Sequence, residues 1–306
     1  MPRPRHCVQL LGRFVMKTCV KCSSKQCEGA GWKCLVCGYM PPQKDGFVIL
    51  APNMVEMNDG YHVALFSECA AIETHHFWFV VRRKIIMDFL KSEFPYSTSM
   101  LEIGCGNGFI LSDIQKNFPG LTLCGSEASL EGLHHASTLS VEANLIQMDA
   151  RSIPFEEEFD IIGAFDVLEH IDLDERVLQQ MYCACKPGGG IFLTVPQHQW
   201  LWSSTDEYAG HKRRYSRAEL VRKVEAAGFR VHRVTSFVFL LLPLMVISRL
   251  LQRNSKKSKN PVDEGFRIGK FTNRILRVLL EIERWPIRMG VSLPMGGSLL
   301  LVARKP

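Results

Sequence analysis

The chain has 306 residues, 46% hydrophobic and 22% charged, which excludes a disordered or low-complexity protein and leaves room for one large domain with appendages or two modest ones. Its charge is partitioned: eight Lys/Arg stand against one acid over residues 1–44, eleven against four over 249–288, and sixteen against twenty-six over 45–248. An acidic middle repels a polyanion, so nucleic acid is not an expected partner.

In chain order, the leader "CVQLLGRFVM" is broken by Gly12 and Arg13 and does not read as a signal peptide; Met16, heading "MKTCVKC", is a second candidate start. More than half of the eleven cysteines fall within the first 37 residues, and the rest are scattered in apolar surroundings. That pattern implies a reducing, cytoplasmic compartment rather than a secreted disulfide framework. Cys19, Cys22, Cys34 and Cys37 form two CxxC pairs eleven residues apart. Each pair makes a tight knuckle, and four thiolates complete a closed tetrahedron, so residues 1–45 are expected to form a ribbon around a structural zinc.

Residues 46–98 are expected to be a helical cap and linker, since "ETHHFWFVVRRKIIMDFL" carries apolar residues at helical spacing. The period then changes. Apolar runs at 99–104, 121–126, 145–148, 159–165 and 190–195 alternate with helical segments at 108–117, 129–139, 173–185 and 216–227, the last with Ser216 as N-cap, Glu219 at the capping-box position and Gly228 at its end. This alternation predicts an α/β doubly wound sheet covered on both faces, assembled from 99–236 and a final strand in 296–306. The intervening 237–295 reads as an insertion. "FVFLLLPLMVIS" is too short to span a bilayer, which takes about twenty residues, and is followed by the basic, amphipathic "RILRVLLEIERW". Two readings stand side by side: peripheral association with an anionic membrane through 237–290, or a buried lid over the substrate pocket.

The site starts in "LEIGCGNGF", where Glu102 precedes a turn containing Gly104, Cys105, Gly106 and Gly108. Bare backbone there lets a ligand approach main-chain N–H groups, but the dinucleotide spacing GxGxxG is not met. Glu127, ending the second strand, is placed to accept ribose hydroxyls, and Asp149, ending the third, to meet the exocyclic amine of adenine. Glu102 suits an ammonium group. The ligand is therefore expected to be an adenosine joined to an amino acid without a pyrophosphate.

These residues lie in "LEIGCGNG", "GSE", "QMDARSIPF", "FDIIGAFDVLEHI" and "CKPGGGIFLTVPQ". In order and spacing these motifs resemble the class I S-adenosylmethionine-dependent methyltransferases, especially the branch related to quinone-biosynthesis enzymes, over 99–236. The resemblance implies a Rossmann-like seven-stranded sheet with its last strand antiparallel. It also implies that Glu102, Gly104 and Gly106 hold the methionine moiety, Glu127 the ribose, and Asp149 with Ala150 the adenine, while Asp166 lines the methyl-transfer face. A looser resemblance of "EHI" and "DEYAGHKRRYS" is to enzymes encoded with bacterial surface-polysaccharide or lipid pathways.

A hydroxyl acceptor must lose a proton during transfer, so a base is expected, and His170, His211 and His198 compete for that role. Trp78, Arg82, Glu169, Arg214 and Tyr215 are candidate substrate contacts; Glu169 with His170 is also a candidate divalent-ion pair, as in some relatives. The expected activity is methylation of an oxygen on a small-molecule, quinone-like or lipid-linked glycan acceptor. An RNA methyltransferase and a non-catalytic cofactor-binding regulator are the alternatives. The first lacks the Asn/Asp-Pro-Pro-aromatic signature after the fourth strand, and turnover separates the second.

Overall fold

The computed structural model describes residues 15–28, 31–56, 63–139, 141–253 and 268–306. The leader before Val15 and the lysine-rich stretch 254–267 lie outside the described residues. Among the described residues twelve strands follow in chain order: β1 Val15–Thr18, β2 Lys25–Glu28, β3 Gln43–Lys44, β4 Phe47–Ile49, β5 Ser99–Ile103, β6 Thr122–Glu127, β7 Ala143–Gln147, β8 Phe155–Glu156, β9 Phe159–Phe165, β10 Cys185–Pro196, β11 Arg230–Phe237 and β12 Ser298–Arg304. The main sheet has the order β11-β12-β10-β9-β5-β6-β7-β4-β3. Strands β5, β6, β7, β9 and β10 are parallel, and β12 runs antiparallel between β10 and β11.

The seven expected strands are all present, and the sheet continues past them. Within the stretch read as a helical cap, Phe47–Ile49 forms β4, parallel to β7, with Val48 opposite Ile146. It is joined to β3 by Asp45 and Gly46, both at positive φ (54° and 88°), the backbone of a two-residue hairpin loop. The cysteine-rich segment is docked as well: β1 pairs antiparallel with β8, Met16 opposite Glu156, and Trp32 meets Phe155 edge-on at 6.0 Å.

Neighbouring residues on each central strand go to opposite faces. Leu101, Ile162 and Ile191 pack on one face with Leu178 and Leu220 from helices Asp174–Ala184 and Arg217–Ala226. Met100, Ile161 and Phe192 pack on the other with Ile86, Phe89 and Leu111 from helices Phe77–Glu93 and Phe109–Asn117. Both faces being covered, the strands are apolar runs without alternation, each fully buried Leu, Ile or Phe contributing about 1.5–3 kcal/mol. Ser216 caps its helix by accepting from the Glu219 N–H (3.1 Å), and the Glu219 carboxylate lies 3.5 Å from Lys223. A reciprocal capping box forms instead at Ser203 and Asp206.

The insertion forms helices Leu242–Arg253 and Lys270–Arg288. The second lies along Phe77–Glu93. Arg284 is paired with Asp88 (2.6 Å), Lys84 with Glu281, and Asn273 accepts from the Phe77 N–H (2.8 Å). Its outer side carries Phe271, Ile275, Val278, Ile282, Trp285 and Met289, all exposed. No helix among the described residues is long and apolar enough to cross a membrane.

Candidate functional site

The carboxyl ends of β5, β6, β7 and β9 open onto a cavity of about 800 Å³, within the ~300–1,000 Å³ typical of small-molecule sites. The turn after β5 depends on glycine twice. Gly104 has φ +64°, and a Cβ there would meet Val167 Cγ2 at 2.6 Å; Gly108, at φ +78°, would meet Ala136 at 2.8 Å. Gly104, Cys105 and Gly106 line the cavity, whereas Gly108 does not, being the start of helix Phe109–Asn117. Gly108 packs against Ala136.

Glu102 is 1% exposed, and its Oε2 accepts no hydrogen bond among the described residues. Burial drives its carboxyl well above the usual carboxylate range; Arg82 opposes that shift, and Glu73 and Glu127 add to it. Glu127 is pinned by three backbone donors, Gly106 (3.1 Å), Ala128 (2.8 Å) and Ser129 (3.2 Å), yet burial still raises it. Asp149 lines the cavity beside Ala150 and accepts from both the N–H (2.8 Å) and Nε (2.9 Å) of Arg151. An adenosine bearing an amino acid fits this end: Glu102 Oε2 for the ammonium and a fixed acid, Glu127, ending the next strand.

Two residues here, Gln147 and Asn107, escaped the sequence reading. Gln147, fully buried, accepts from the Ala51 N–H (2.9 Å) and donates to Ala51 O (3.0 Å) and Ala128 O (2.9 Å), tying β4 to the cavity wall. Asn107 donates to Phe66 O (3.0 Å) and Glu73 Oε1 (3.1 Å), joining the glycine turn to helix Val63–Glu73. That helix and Phe77–Glu93 form a roof from which Phe66, Glu73, His76, Trp78 and Arg82 face the cavity. His76 caps the second helix, and burial pushes its pKa down to about 4.

At the other end, Asp166 sits just beyond β9 at φ +58°, a conformation that costs a non-glycine residue energy and is held here by its partners. Arg82 lies 2.6 Å from its Oδ2 and donates to Phe165 O (2.8 Å), while Thr194 Oγ1 donates to Asp166 (3.1 Å). Glu169 follows in a single turn, fully buried, with both carboxylate oxygens lacking hydrogen-bond partners among the described residues. Burial and the nearby Asp166 hold it well above the carboxylate range.

His211 donates from Nδ1 to Asp206 Oδ1 (2.9 Å), and its Nε2 lies 4.0 Å from Glu169 Oε1. Asp206 also accepts from Arg214 Nε (2.8 Å) and from the Ser203 N–H and Oγ (2.9 Å each). Burial alone would raise Asp206, but His211 and Arg214 outweigh it and hold it at about 2. The His170 ring meets His211 edge-on at 4.7 Å, and burial, then His211, depress His170 to about 3. One ligand atom each from Glu169, His170 and His211 lies within 4.8 Å of the others, a set able to hold a divalent cation.

Two expected residues are elsewhere. His198 does not line the cavity: at φ +65° it turns away and stacks on Trp200 at 5.1 Å. Tyr215 is fully buried and donates its hydroxyl to Asp174 (2.7 Å), in a structural cluster with Lys223 and Arg213. Arg214, by contrast, lines the cavity.

In the N-terminal segment the four expected sulfurs converge, all within 4.8 Å of one another, with Cys19 to Cys37 at 3.8 Å and Cys22 to Cys34 at 3.7 Å. A tetrahedral zinc with ~2.3 Å Zn–S bonds has sulfur–sulfur edges of about 3.8 Å. The residues fit that metal.

Among known proteins, the chain is 29% identical over 101 residues to the ubiquinone biosynthesis O-methyltransferase of Hydrogenovibrio crunogenus, covering 32% of this chain and 42% of that protein. It is 27% identical over 160 residues to the same-named enzyme of Aeromonas salmonicida, covering 46% and 66%. It spans less than two thirds of the length of either relative. A chain of the Haloferax volcanii complex between the Trm112 methyltransferase activator and a methyltransferase shares the fold, with TM-score 0.54 and 16% identity over 80% of this chain and 97% of that one. So does an S-adenosylmethionine-dependent methyltransferase of Thermotoga maritima, at TM-score 0.50 and 15% identity over 80% and 96%. The family described as "Methyltransferase domain" matches residues 75–234, more than half of the chain, which therefore belongs to that family, of the class I S-adenosylmethionine-dependent type.

Proposed function

We propose that the protein transfers a methyl group from S-adenosylmethionine to an oxygen of an amphipathic acceptor, quinone-like or lipid-linked. Glu102, Gly104 and Gly106 would hold the methionine part, Glu127 the ribose, and Asp149 with Ala150 the adenine. Bound there, the cofactor supplies an electrophilic methyl on a cationic sulfur. The chain's own residues do the rest. Asp206 fixes His211 with its proton on Nδ1, leaving the Nε2 lone pair to take the proton from an acceptor hydroxyl. Arg82 and Asp166 brace each other between the two ends, and Trp78 with Phe79 in the roof excludes water. The observation that carries this reading is that one cavity contains both the unsatisfied Glu102 carboxyl and the Asp206-oriented His211. Incubation with methyl-labelled cofactor and a bacterial lipid extract should place label in the organic phase; cofactor binding without any labelled product would favour the regulator instead.

A second reading assigns Glu169, His170 and His211 to a divalent cation that would polarise the acceptor oxygen, favoured by the two unpartnered oxygens of Glu169. Turnover abolished by EDTA and restored by a divalent ion selects it; turnover indifferent to EDTA selects the base. We assign the four-cysteine site to structural zinc, for which metal analysis should give one zinc per chain. The outward stripe Phe271, Ile275, Val278, Ile282, Trp285 and Met289, flanked by Lys270, Arg274, Arg277 and Arg288, supports docking on an anionic membrane. Co-sedimentation with phosphatidylglycerol vesicles is expected. Dimerisation without vesicle binding would assign the stripe to a second copy.

A further inference from the structure

Helix Leu242–Arg253 distributes its side chains in an unusual way. Ile247, Leu250 and Leu251 are 54%, 55% and 67% exposed, while Leu244, Met245, Ser248 and Arg249, in phase with Leu241 just before the helix, line the cavity. A helix lying against water does the reverse, sending its guanidinium outward. Here the cation is turned inward, at the end of an apolar wall formed by Val238, Leu241, Met245 and Leu276, and beside the polar end formed by Arg214, Lys212 and His211. Burial, and next Arg214, oppose the charge on Arg249, with Asp206 supporting it.

We infer that Arg249 is the headgroup site of the acceptor: it binds the acidic group, phosphate or carboxylate, of an amphiphile whose chain lies along the Val238–Leu241–Met245–Leu276 wall. This rests on the reading that the acceptor occupies the His211 end of the cavity. Guanidinium is suited to the task because its planar fork pairs with two oxygens of a carboxylate or phosphate at once. The same helix then serves twice, with Ile247, Leu250 and Leu251 outward towards lipid and Arg249 inward, so that the acceptor enters from the membrane side with its acid leading.

Calorimetry on the full chain tests this with decyl phosphate below its micellar concentration, decyl maltoside, and inorganic phosphate. One saturable site for decyl phosphate is expected, weakened at least tenfold in Arg249→Gln and less in Arg249→Lys, with decyl maltoside weak and insensitive to either change. Equal binding of decyl phosphate to wild type and Arg249→Gln, or no binding to wild type, would overturn the assignment. Inorganic phosphate binding as tightly as decyl phosphate would overturn the amphiphile. S-adenosylmethionine affinity reports whether each variant is folded; should Arg249→Gln lose it, the comparison of wild type with Arg249→Lys decides. The measurement needs no turnover, so loss of the methyl-transfer reading alone leaves the Arg249-dependent binding intact.

Discussion

Replacing Asp206 by Asn is expected to lower kcat by about 10²–10⁴-fold, the range that positioned acid–base catalysis supplies, while leaving S-adenosylmethionine affinity unchanged. The carboxylate fixes the His211 ring through Nδ1 (2.9 Å), and an amide there can present its oxygen or its nitrogen, so the lone pair facing the acceptor is no longer specified. Asp206 also neutralises the buried Arg214. Breaking that pair costs about 3–5 kcal/mol of stability, which would confuse the result if it stood alone. His211→Asn is the companion variant, since it leaves the Asp206–Arg214 pair in place: kcat should fall comparably with a much smaller change in Tm. If both variants turned over within threefold of wild type, His211 would not be the base.

Cofactor binding is expected to release a proton, and Glu102→Gln to abolish that release. In the free protein burial favours the neutral form of Glu102 and raises its carboxyl well above the usual carboxylate range, against Arg82 and with Glu73 and Glu127 reinforcing. An ammonium group beside it favours the carboxylate. The bound-state pKa therefore lies below the free-state one, protons leave on binding, and affinity rises with pH, by at most about tenfold per unit, until pH passes the free-state value. Calorimetry in phosphate and in Tris, whose ionisation enthalpies differ, measures the release directly. The same release from Glu102→Gln would move the linkage to Glu73 or Glu127.

The central sheet was legible in the sequence because four of the five linked apolar runs end in a chemically marked residue, and both faces of the sheet are covered, so strand and helix periods separate cleanly. The β3–β4 extension was missed although its signal is present: Asp45-Gly46 is the pair that two-residue hairpins favour, but three apolar residues are a short strand, and their partner β7 lies about a hundred positions away. Gln147 carries no local mark at all, since its role depends on Ala51 arriving across the sheet edge. Adjacency misled twice. His198 follows the apolar strand that should deliver it to the cavity, yet its left-handed backbone turns the ring away; Tyr215 neighbours Arg214, yet its hydroxyl is claimed by Asp174. Arg249 was hidden because the side it faces is fixed by where Leu241 and Met245 pack, a helical phase that an apolar run does not disclose.

The most direct measurement of the central claim is equilibrium binding of S-adenosylmethionine to the wild-type chain and to Glu127→Ala. Micromolar association is expected, weakened by about 1.5–3 kcal/mol in the variant, the worth of a hydrogen bond to a charged group. No association with S-adenosylmethionine, together with tight binding of a nicotinamide or flavin nucleotide, would contradict the account.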